Sequence, residues 1–302
     1  MTSYNPTLFE AGVRETFLRE LKGADAESII PQVATVVDSN KKTEEHAWIG
    51  ESPAMSLWEG QAKWTPMSDT KYSLTNNRYQ GGLSFKVDDI NDDQVGAFPL
   101  RIAQLAQGVV GHQNELLVDA LVDGTSNTGH DATAFFANSH PIRGQMSAVQ
   151  DNLLGGTGTT TAQLQADVTS AIAAMAKFEA ENGKPYHNML REFTIVCPWD
   201  ILGNVNEAVY AKMISNTDNV KYRGMTIDVL PSAHLTDAND WYLLHTGGAL
   251  RPLIFQLREA VSLLSDTQGS HTIEYMEHRF SLSGRYVAGY GHWASAVKMV
   301  NS

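Results

Sequence analysis

A long apolar stripe between residues 99 and 122 constrains the fold of this chain more than any other feature. Pro99 stands at a favoured first helical position, and apolar residues follow it at helical spacing: Ile102, Leu105, Ala106, Val109, Leu116, Leu117, Ala120 and Leu121. The pattern predicts a helix of roughly 35 Å, which is long for a globular protein. Acidic residues at 88–93 precede it, where the helix dipole favours negative charge. The chain is therefore expected to contain one long helical rod.

A second amphipathic helix is predicted near the start of the chain, over residues 5–22. Charged residues occupy one side of it, and the other side is apolar: Leu8, Phe9, Val13, Phe17, Leu18 and Leu21. Gly23 ends the helix, and an irregular stretch with the polar run NKKTEEH (40–46) follows. The helix is thus expected on an arm, and its apolar face needs a partner that the neighbouring sequence does not supply.

The segment 48–86 consists of short β-prone runs with Asn-Asn and Gly-Gly turn signals, which predict a long, exposed β-hairpin. Three of the six tryptophans lie in it, namely Trp48, Trp58 and Trp64. Residues 41–82 are neutral within a chain of net charge −12. Because a two-stranded ribbon is marginally stable alone, these tryptophans are expected to pack against another surface. The alternative is that they fold back on their own domain.

Beyond residue 159 the sequence predicts an α/β unit followed by a β-rich end. Thr160 and Gln163 have capping-box spacing and begin a helix that continues to Asn182. The elements predicted after it are a strand at 193–197, a helix opened by Pro198, and strands at 225–230, 241–245, 252–264, 271–277 and 280–297.

The composition argues against several classes of protein. A net charge of −12 and a pI near 5.2 disfavour tight, sequence-independent binding to nucleic acid. Cys197 is the single cysteine, so an internal disulfide and a cysteine-based zinc cluster are excluded, and a reducing compartment is expected. The sequence has no run of about 18 apolar residues and no basic, apolar leader at its start. Neither a membrane protein nor a protein secreted by a standard signal is expected.

The residues that could carry chemistry are each better explained by structure. GGTGTTT (155–161) lacks the lysine of a phosphate-binding loop and is interpreted as a connector with a helix cap. His112 has no matching metal-ligand pair on another helix and is expected to hydrogen-bond to a packed element. His271, Glu274 and His278 do not share one face of a strand, so no metal site is predicted there.

Two further candidates are discounted in the same way. Cys197 ends a strand in apolar sequence and is interpreted as a small buried hydrophobic residue. The aspartates at 88–93 lack the glycine and the glutamate of a calcium-binding loop. The sequence therefore predicts no catalytic, cofactor-binding or metal-ligating residue, and the chain is not expected to be an enzyme.

In this order of elements the chain resembles the Mu-like phage major head subunit family. The stretches that carry the resemblance span nearly the whole chain: IGESPAMSLWEG (49–60), VDDINDDQVGAF (87–98), FFANSHP (135–141), TIVCPWDI (194–201), WYLLHTGGALRPLIFQLRE (241–259) and RYVAGYGHWASAV (285–297). The resemblance implies an α+β capsid fold of the Hong Kong 97 type. The implied parts are an N-terminal arm (1–47), an extended β-hairpin or E-loop (48–86), a P domain with a long spine helix (87–159), an A domain (160–247) and a β-rich segment that returns to the P domain (248–302).

The resemblance also implies a function. The chain is expected to be the major capsid protein of a tailed bacteriophage or prophage, made in the host cytoplasm and resident in the virion. Its main partner would be itself, in the hexamers and pentamers of an icosahedral shell that encloses double-stranded DNA without sequence-specific binding. A portal, a possible decoration protein and a scaffold supplied as a separate protein are further expected partners, and no cofactor or membrane is expected.

The expected contacts between subunits are noncovalent and involve two segments. Phe9, Phe17 and Leu21 would contact a neighbour from the arm helix, and Trp58 and Trp64 would do so from the E-loop. Two alternatives stay open on the sequence alone. One is another phage structural protein, such as a tail-tube or minor head protein, and the other is a nucleotide- or metal-dependent enzyme built on residues 155–247.

Overall fold

The computed structural model describes residues 6–49, 57–58, 60, 72–91, 98–142, 145–180, 183–211, 213–214, 217–218, 222 and 224–301. Its helices are α1 (Pro6–Ala24), α2 (Ile30–Val33), α3 (Val87–Asn91), α4 (Phe98–Val122), α5 (Thr161–Ala176), α6 (Leu202–Tyr210) and α7 (Ser270–Tyr275). Its strands are β1 (Ala34–Asp38), β2 (Thr43–Glu45), β3 (Ser73–Thr75), β4 (Asn77–Lys86), β5 (His140–Ile142), β6 (Gln145–Gln150), β7 (Leu153–Gly155), β8 (Glu192–Cys197), β9 (Met213–Ile214), β10 (Thr217–Asp218), β11 (Thr226–Pro231), β12 (Trp241–His245), β13 (Leu253–Asp266), β14 (Glu277–Tyr290) and β15 (Ala296–Val300).

The two long predicted helices are confirmed, because α1 and α4 have the expected bounds to within two residues. The predicted start of α5 is also confirmed, with Thr160 and Gln163 forming a capping box. α5 ends at Ala176, earlier than expected. The chain turns there, and Glu179 then bridges to Pro185 in an antiparallel pairing.

A four-stranded sheet in the order β1-β13-β14-β4 forms one half of the fold. β13 and β14 are antiparallel strands of 14 residues each, while β1 pairs parallel with β13 and β4 pairs antiparallel with β14. α4 packs on this sheet, and α1 packs on α4. The three layers share a buried core of Val13, Phe17, Phe85, Ile90, Phe98, Ile102, Ala106, Val109, Leu263, Phe280 and Leu282.

A five-stranded sheet in the order β11-β8-β12-β15-β7 forms the other half, with α5 and α6 packed against it. Every residue of β12 is buried, as are all residues of β8 after Glu192. Strands covered on both faces are expected to be apolar throughout, as FTIVC and WYLLH are. Leu117 and Leu121 from the end of α4 join this core, so it continues into the region between the two sheets.

The two sheets do not follow the segment boundaries predicted from the sequence. The segment 248–302 is divided, because β13 and β14 belong to the first sheet whereas β15 lies between β12 and β7 in the second. β1, in the predicted arm, is a strand of the first sheet. β4, in the predicted E-loop, pairs with β14 along its whole length. Residues 77–86 are therefore part of the body and not of an exposed hairpin.

The strand predicted at 271–277 is wrong. Ser270–Tyr275 forms the helix α7, and Met276 follows it with a left-handed φ of 52°. β13 and β14 pair with each other as far as Asp266 and Arg279, so the chain has to reverse between them. The β-branched and aromatic residues of HTIEYME favour a strand locally, but the connection within this hairpin overrides that preference.

Candidate assembly surfaces

The arm helix α1 packs on its own chain. Phe17 is fully buried, and the Phe9 ring makes edge contacts with Phe85, Phe98 and Phe280 at centroid distances of 6.5, 6.2 and 6.0 Å. Leu21 is partly buried against the same cluster. α4 and the first sheet thus supply the partner that the sequence next to α1 does not. Phe17 has no surface left for a neighbour in this conformation.

Polar contacts fix the same helix to the tip of the β13–β14 hairpin. Glu10 accepts hydrogen bonds from the hydroxyls of Ser265 and Thr267, the latter at 3.1 Å. Gln268 Nε2 donates to Thr7 Oγ1 at 3.1 Å. The outward side of α1 remains open to solvent, with Leu8 73% and Leu18 57% exposed.

The base of the E-loop is held firmly. His46 Nε2 and Gln256 Oε1 lie 2.7 Å apart, and both residues are buried. Ile49 is buried, and Tyr72 Oη accepts a hydrogen bond from the backbone N–H of Tyr290 at 2.8 Å. Burial raises the pKa of Tyr72 to about 12, so its hydroxyl stays protonated and uncharged. The residues on both sides of the segment 50–71 are thus fixed to the body.

Between these fixed points the described side chains are open to solvent. Trp58 is 73% exposed, and the preceding Leu57 is 79% exposed. Trp48, nearer the body, is 41% exposed and makes an edge contact with His46. The other predicted contact in this segment, Trp64, lies outside the described residues. Two adjacent large apolar side chains in water are typical of a surface that a partner covers.

An apolar groove of about 340 Å³ lies between α4 and the strands β4 and β14. It is lined by Tyr79, Gln80, Gly81, Gln104, Leu105, Gly108, Val109, His112, Val261, Leu282, Ser283, Gly284 and Tyr286. A β-carbon added at Gly108 would meet no atom within 4 Å, and one at Gly81 would only touch Leu105 Cδ1 at 4.0 Å. Both positions therefore face open space in the groove.

One end of the groove has an aromatic wall. His112 Nδ1 lies 3.0 Å from Tyr286 Oη, which confirms that His112 hydrogen-bonds to a packed element. The Tyr79 ring lies 4.5 Å from the His112 ring and 4.8 Å from the Tyr286 ring, between centroids. Burial raises the pKa of Tyr286 to about 12, with the nearby Tyr79 adding to the effect.

Five histidines cluster where the two sheets meet, half of the ten in the chain: His130, His140, His187, His245 and His292. The rings of His130 and His292 lie 4.5 Å apart, those of His187 and His245 lie 4.8 Å apart, and His140 stacks on Trp293 at 4.1 Å. Sequence reasoning missed this cluster, because its members come from five separated segments.

Hydrogen bonds connect the cluster to the backbone around it. His140 Nδ1 lies 2.7 Å from Asp131 Oδ2, and His140 Nε2 lies 3.0 Å from Asn152 Oδ1. Asn152 is fully buried, and its amide donates to the Phe135 carbonyl at 2.8 Å. His187 Nε2 donates to the carbonyl of Ala294 at 2.8 Å. The loops after α4 and before β8 are thereby linked to the turn between β14 and β15.

Burial lowers the pKa of four of these rings, those of His130, His187, His245 and His292. Desolvation lowers the pKa of His187 to about 4, and that of His292 lies well below its ordinary value. Desolvation also lowers the pKa values of His130 and His245, opposed by the charges of Asp131 and Glu192 respectively. The neighbouring histidines lower the pKa of His292 further, because two adjacent rings cannot readily share positive charge.

The other candidate positions make contacts within the fold. The 155–161 loop is a connector, in which the N–H and hydroxyl of Thr157 donate to Asp167 at 2.8 and 2.9 Å. Cys197 is buried, which raises the pKa of its thiol to about 12. His271 lies in α7 and not on the predicted strand, with its Nε2 3.1 Å from Glu277 Oε2. Among the residues that the structure describes, no three histidine, cysteine or acidic side chains are arranged to hold a metal ion.

Comparison with known families decides what these surfaces belong to. The model of the Mu-like prophage major head subunit gpT matches residues 7–164 and 232–301, which is most of the chain. The chain belongs to this family. The head subunit is 25% identical to the Mu-like prophage FluMu major head subunit of Haemophilus influenzae, over 91% of this chain and 68% of that relative. It is 24% identical to the major capsid protein of Escherichia phage Mu, over 90% of this chain and 67% of that relative.

Solved structures agree on the fold. The head subunit resembles a chain of the bacteriophage JBD30 procapsid with a TM-score of 0.58 and 21% identity, over 98% of this chain and 75% of that chain. The predicted Hong Kong 97-type capsid fold is thus confirmed, and this major capsid protein is a component of the virion. No helix among its described residues is both long and apolar enough to cross a membrane.

The groove and the histidine cluster of the head subunit were not predicted from the sequence. Gly81 and Gly108 line the groove, but β4 and α4 also contain Gly82 and Gly111, which do not, so the sequence alone does not single out the groove positions. The histidines at 130, 140, 187, 245 and 292 each lie in a turn or at a strand end. Their burial does not follow from their positions in the sequence, because histidine is intermediate in burial, so only the fold could show that these five come together.

Proposed function

We propose that the head subunit assembles as hexamers and pentamers into an icosahedral shell that encloses double-stranded DNA, and that it catalyses no reaction. The family and the capsid fold support assembly into a shell. The observation that carries the proposal is the pair Leu57 and Trp58, which are large, apolar and exposed in a chain whose two sheets already share a core. Such side chains are best explained as contacts between copies.

The E-loop makes the principal contact in this proposal. Trp58 and Trp64 are its anchors on the neighbouring subunit, since tryptophan is enriched among residues that dominate interface energy. Phe9, Phe17 and Leu21 act differently from the first expectation, because they fix α1 to its own subunit and leave its outward residues Leu8 and Leu18 for a neighbour. Many such contacts of modest affinity allow errors to be corrected before the shell closes.

Charge defines the relation to the packaged DNA. A net charge of −12 leaves no excess of cations to hold phosphate. The shell therefore contains DNA by enclosure and lets it enter and leave. A scaffold protein, a portal and a decoration protein complete the proposed set of partners, and the subunits stay noncovalently joined. A strongly basic inner surface in the assembled shell would contradict this account of DNA containment.

Purified protein tests the assembly proposal directly. Size-exclusion chromatography followed by negative-stain imaging should show closed shells of uniform diameter. The variant Trp58→Ala should stay folded and soluble but assemble poorly, whereas Trp199→Ala removes an equally large indole that is 60% exposed and should assemble normally. Tubes or dispersed monomers from the unaltered protein, with or without a scaffold, would contradict the shell.

A further inference from the structure

The groove between α4, β4 and β14 is a built feature of the head subunit that its own described residues do not fill. The groove is open to solvent, with Gln80, Gln104 and Gly108 exposed at its edge. This groove encloses about 340 Å³, at the lower end of the roughly 300–1,000 Å³ typical of ligand pockets. A space of that size suits one large side chain better than a peptide helix or a long ligand.

The chemistry of the groove matches an indole. Its lining includes the apolar side chains of Leu105, Val109 and Leu282, and the half-buried ring of Tyr79 is the aromatic surface against which an indole can pack. Polar groups stand around it, including the side-chain amides of Gln80 and Gln104. A buried indole needs one hydrogen-bond acceptor for its N–H, and an amide oxygen can provide it.

The same chain presents such an indole. Trp58 is 73% exposed, so it does not fill the groove of its own subunit, and Leu57 beside it is 79% exposed. Trp58 and all the groove residues lie inside the stretches 7–164 and 232–301 that match the family model. Trp199, another exposed indole, lies outside them. A contact that shell building requires is expected in the shared part of the chain.

We propose that Trp58 of one head subunit docks in the α4–β4–β14 groove of a second copy. This inference rests on the proposed function and names the acceptor for the E-loop anchor. Trp58 is not among the residues that line the groove, so one subunit gives the indole and the other the groove, and the contact is head-to-tail and not two-fold symmetric. Head-to-tail contacts close into rings when the rotation between copies is a whole fraction of a turn. Hexamers and pentamers are rings of that kind.

Disulfide cross-linking tests the contact without removing the indole. Leu57→Cys places a thiol beside Trp58, and Gln104→Cys places one at the groove. The native Cys197 is buried with a pKa of about 12, so it does not compete for oxidation. The control pair is Leu57→Cys with Gln107→Cys, because Gln107 is exposed on α4 but does not line the groove. Shells are assembled under reducing conditions, imaged, and then oxidised.

Denaturing, non-reducing gels then show how many chains are joined by disulfides. A ladder that continues past the dimer towards five or six chains supports the proposal. Each chain then forms one disulfide through position 57 to the next chain and one through position 104 to the previous chain. A ladder that stops at the dimer, a monomer of altered mobility from docking within one chain, or a ladder as strong with the control pair overturns it. If shells are seen by imaging but no ladder forms, the groove assignment fails while the proposed function stands.

Filling the groove gives a second test that does not depend on cysteines. Gly108→Leu occupies the groove, whereas Gly111→Leu adds the same side chain to the same helix where a β-carbon also meets no atom within 4 Å. Gly111 does not line the groove. Gly108→Leu should raise the protein concentration needed for assembly by at least about tenfold relative to Gly111→Leu, equivalent to about 1.4 kcal/mol. Equal assembly of the two folded variants would overturn the inference.

Discussion

Acid should weaken the head subunit through its histidine cluster, and His187 gives the clearest measure. Its pKa is about 4 in the folded chain, below the ordinary value of about 6.5. The folded state therefore binds fewer protons than the unfolded state between these two values. Stability is fully present above about pH 6.5 and is lost as the pH falls towards 4. Linkage over that interval gives a loss of roughly 2 kcal/mol at about pH 5 from His187 alone.

The other members of the cluster add to this loss. The pKa values of His130, His245 and His292 are lowered by burial as well, so each must also take up a proton on unfolding in acid. Two acids oppose the effect: Asp131 raises the pKa of His130, and Glu192 raises that of His245. Arg251 strengthens it at His245.

Urea unfolding of the unassembled subunit at about pH 7.5 and about pH 5 measures the effect. His187→Gln keeps a donor for the Ala294 carbonyl but cannot titrate, so the loss of stability between the two pH values should shrink by roughly 2 kcal/mol. His234→Gln is the control, because His234 lies outside the cluster with 42% of its side chain exposed. An unchanged loss in His187→Gln, or an equal change in the control, would refute the reasoning.

Three further predictions concern the stability of the folded subunit in urea. Phe17→Ala removes a fully buried ring and should lower the free energy of unfolding by about 3–5 kcal/mol, whereas Leu18→Ala, at a 57% exposed position, should change it little. Gly111→Ala should raise it by up to about 1 kcal/mol, because the helix gains a better former in open space. Thr160→Ala should cost about 1 kcal/mol through loss of the capping box, and a neutral result would show that the cap is dispensable.

Local sequence predicted the helices of the head subunit better than its sheets. α4 was predicted to within one residue because Pro99, the apolar stripe and the preceding acids act within a few turns of one another. The pairing of β15 with β12 could not be predicted in the same way, because it joins Ala296 to Leu244 across about 50 residues. Such pairings depend on which apolar faces remain uncovered after the nearer elements have packed. Periodicity does not contain that information.

The candidate assembly surfaces likewise include one that could be predicted from local sequence and one that could not. Trp58 was found from sequence, because a tryptophan in neutral, β-prone sequence is conspicuous, and it is exposed as expected. The burial of Phe17 was not foreseen, because the amphipathic face of α1 meets α4 about 90 residues further along the chain. Sequence thus showed that this face needed a partner, but the choice between the same chain and a neighbour required the fold.

The position of β15 has a consequence for synthesis of the head subunit on the ribosome. β15 lies between β12 and β7, and β1 is paired with residues 253–257. The first sheet is complete only when residue 290 has emerged and the second only when residue 300 has, and the proposed groove needs residues 282–286. A chain that ends before residue 282 would therefore present its exposed indole without an acceptor. Such a partial product could give the proposed contact but could not receive it, so it would cap a growing ring and could not extend it.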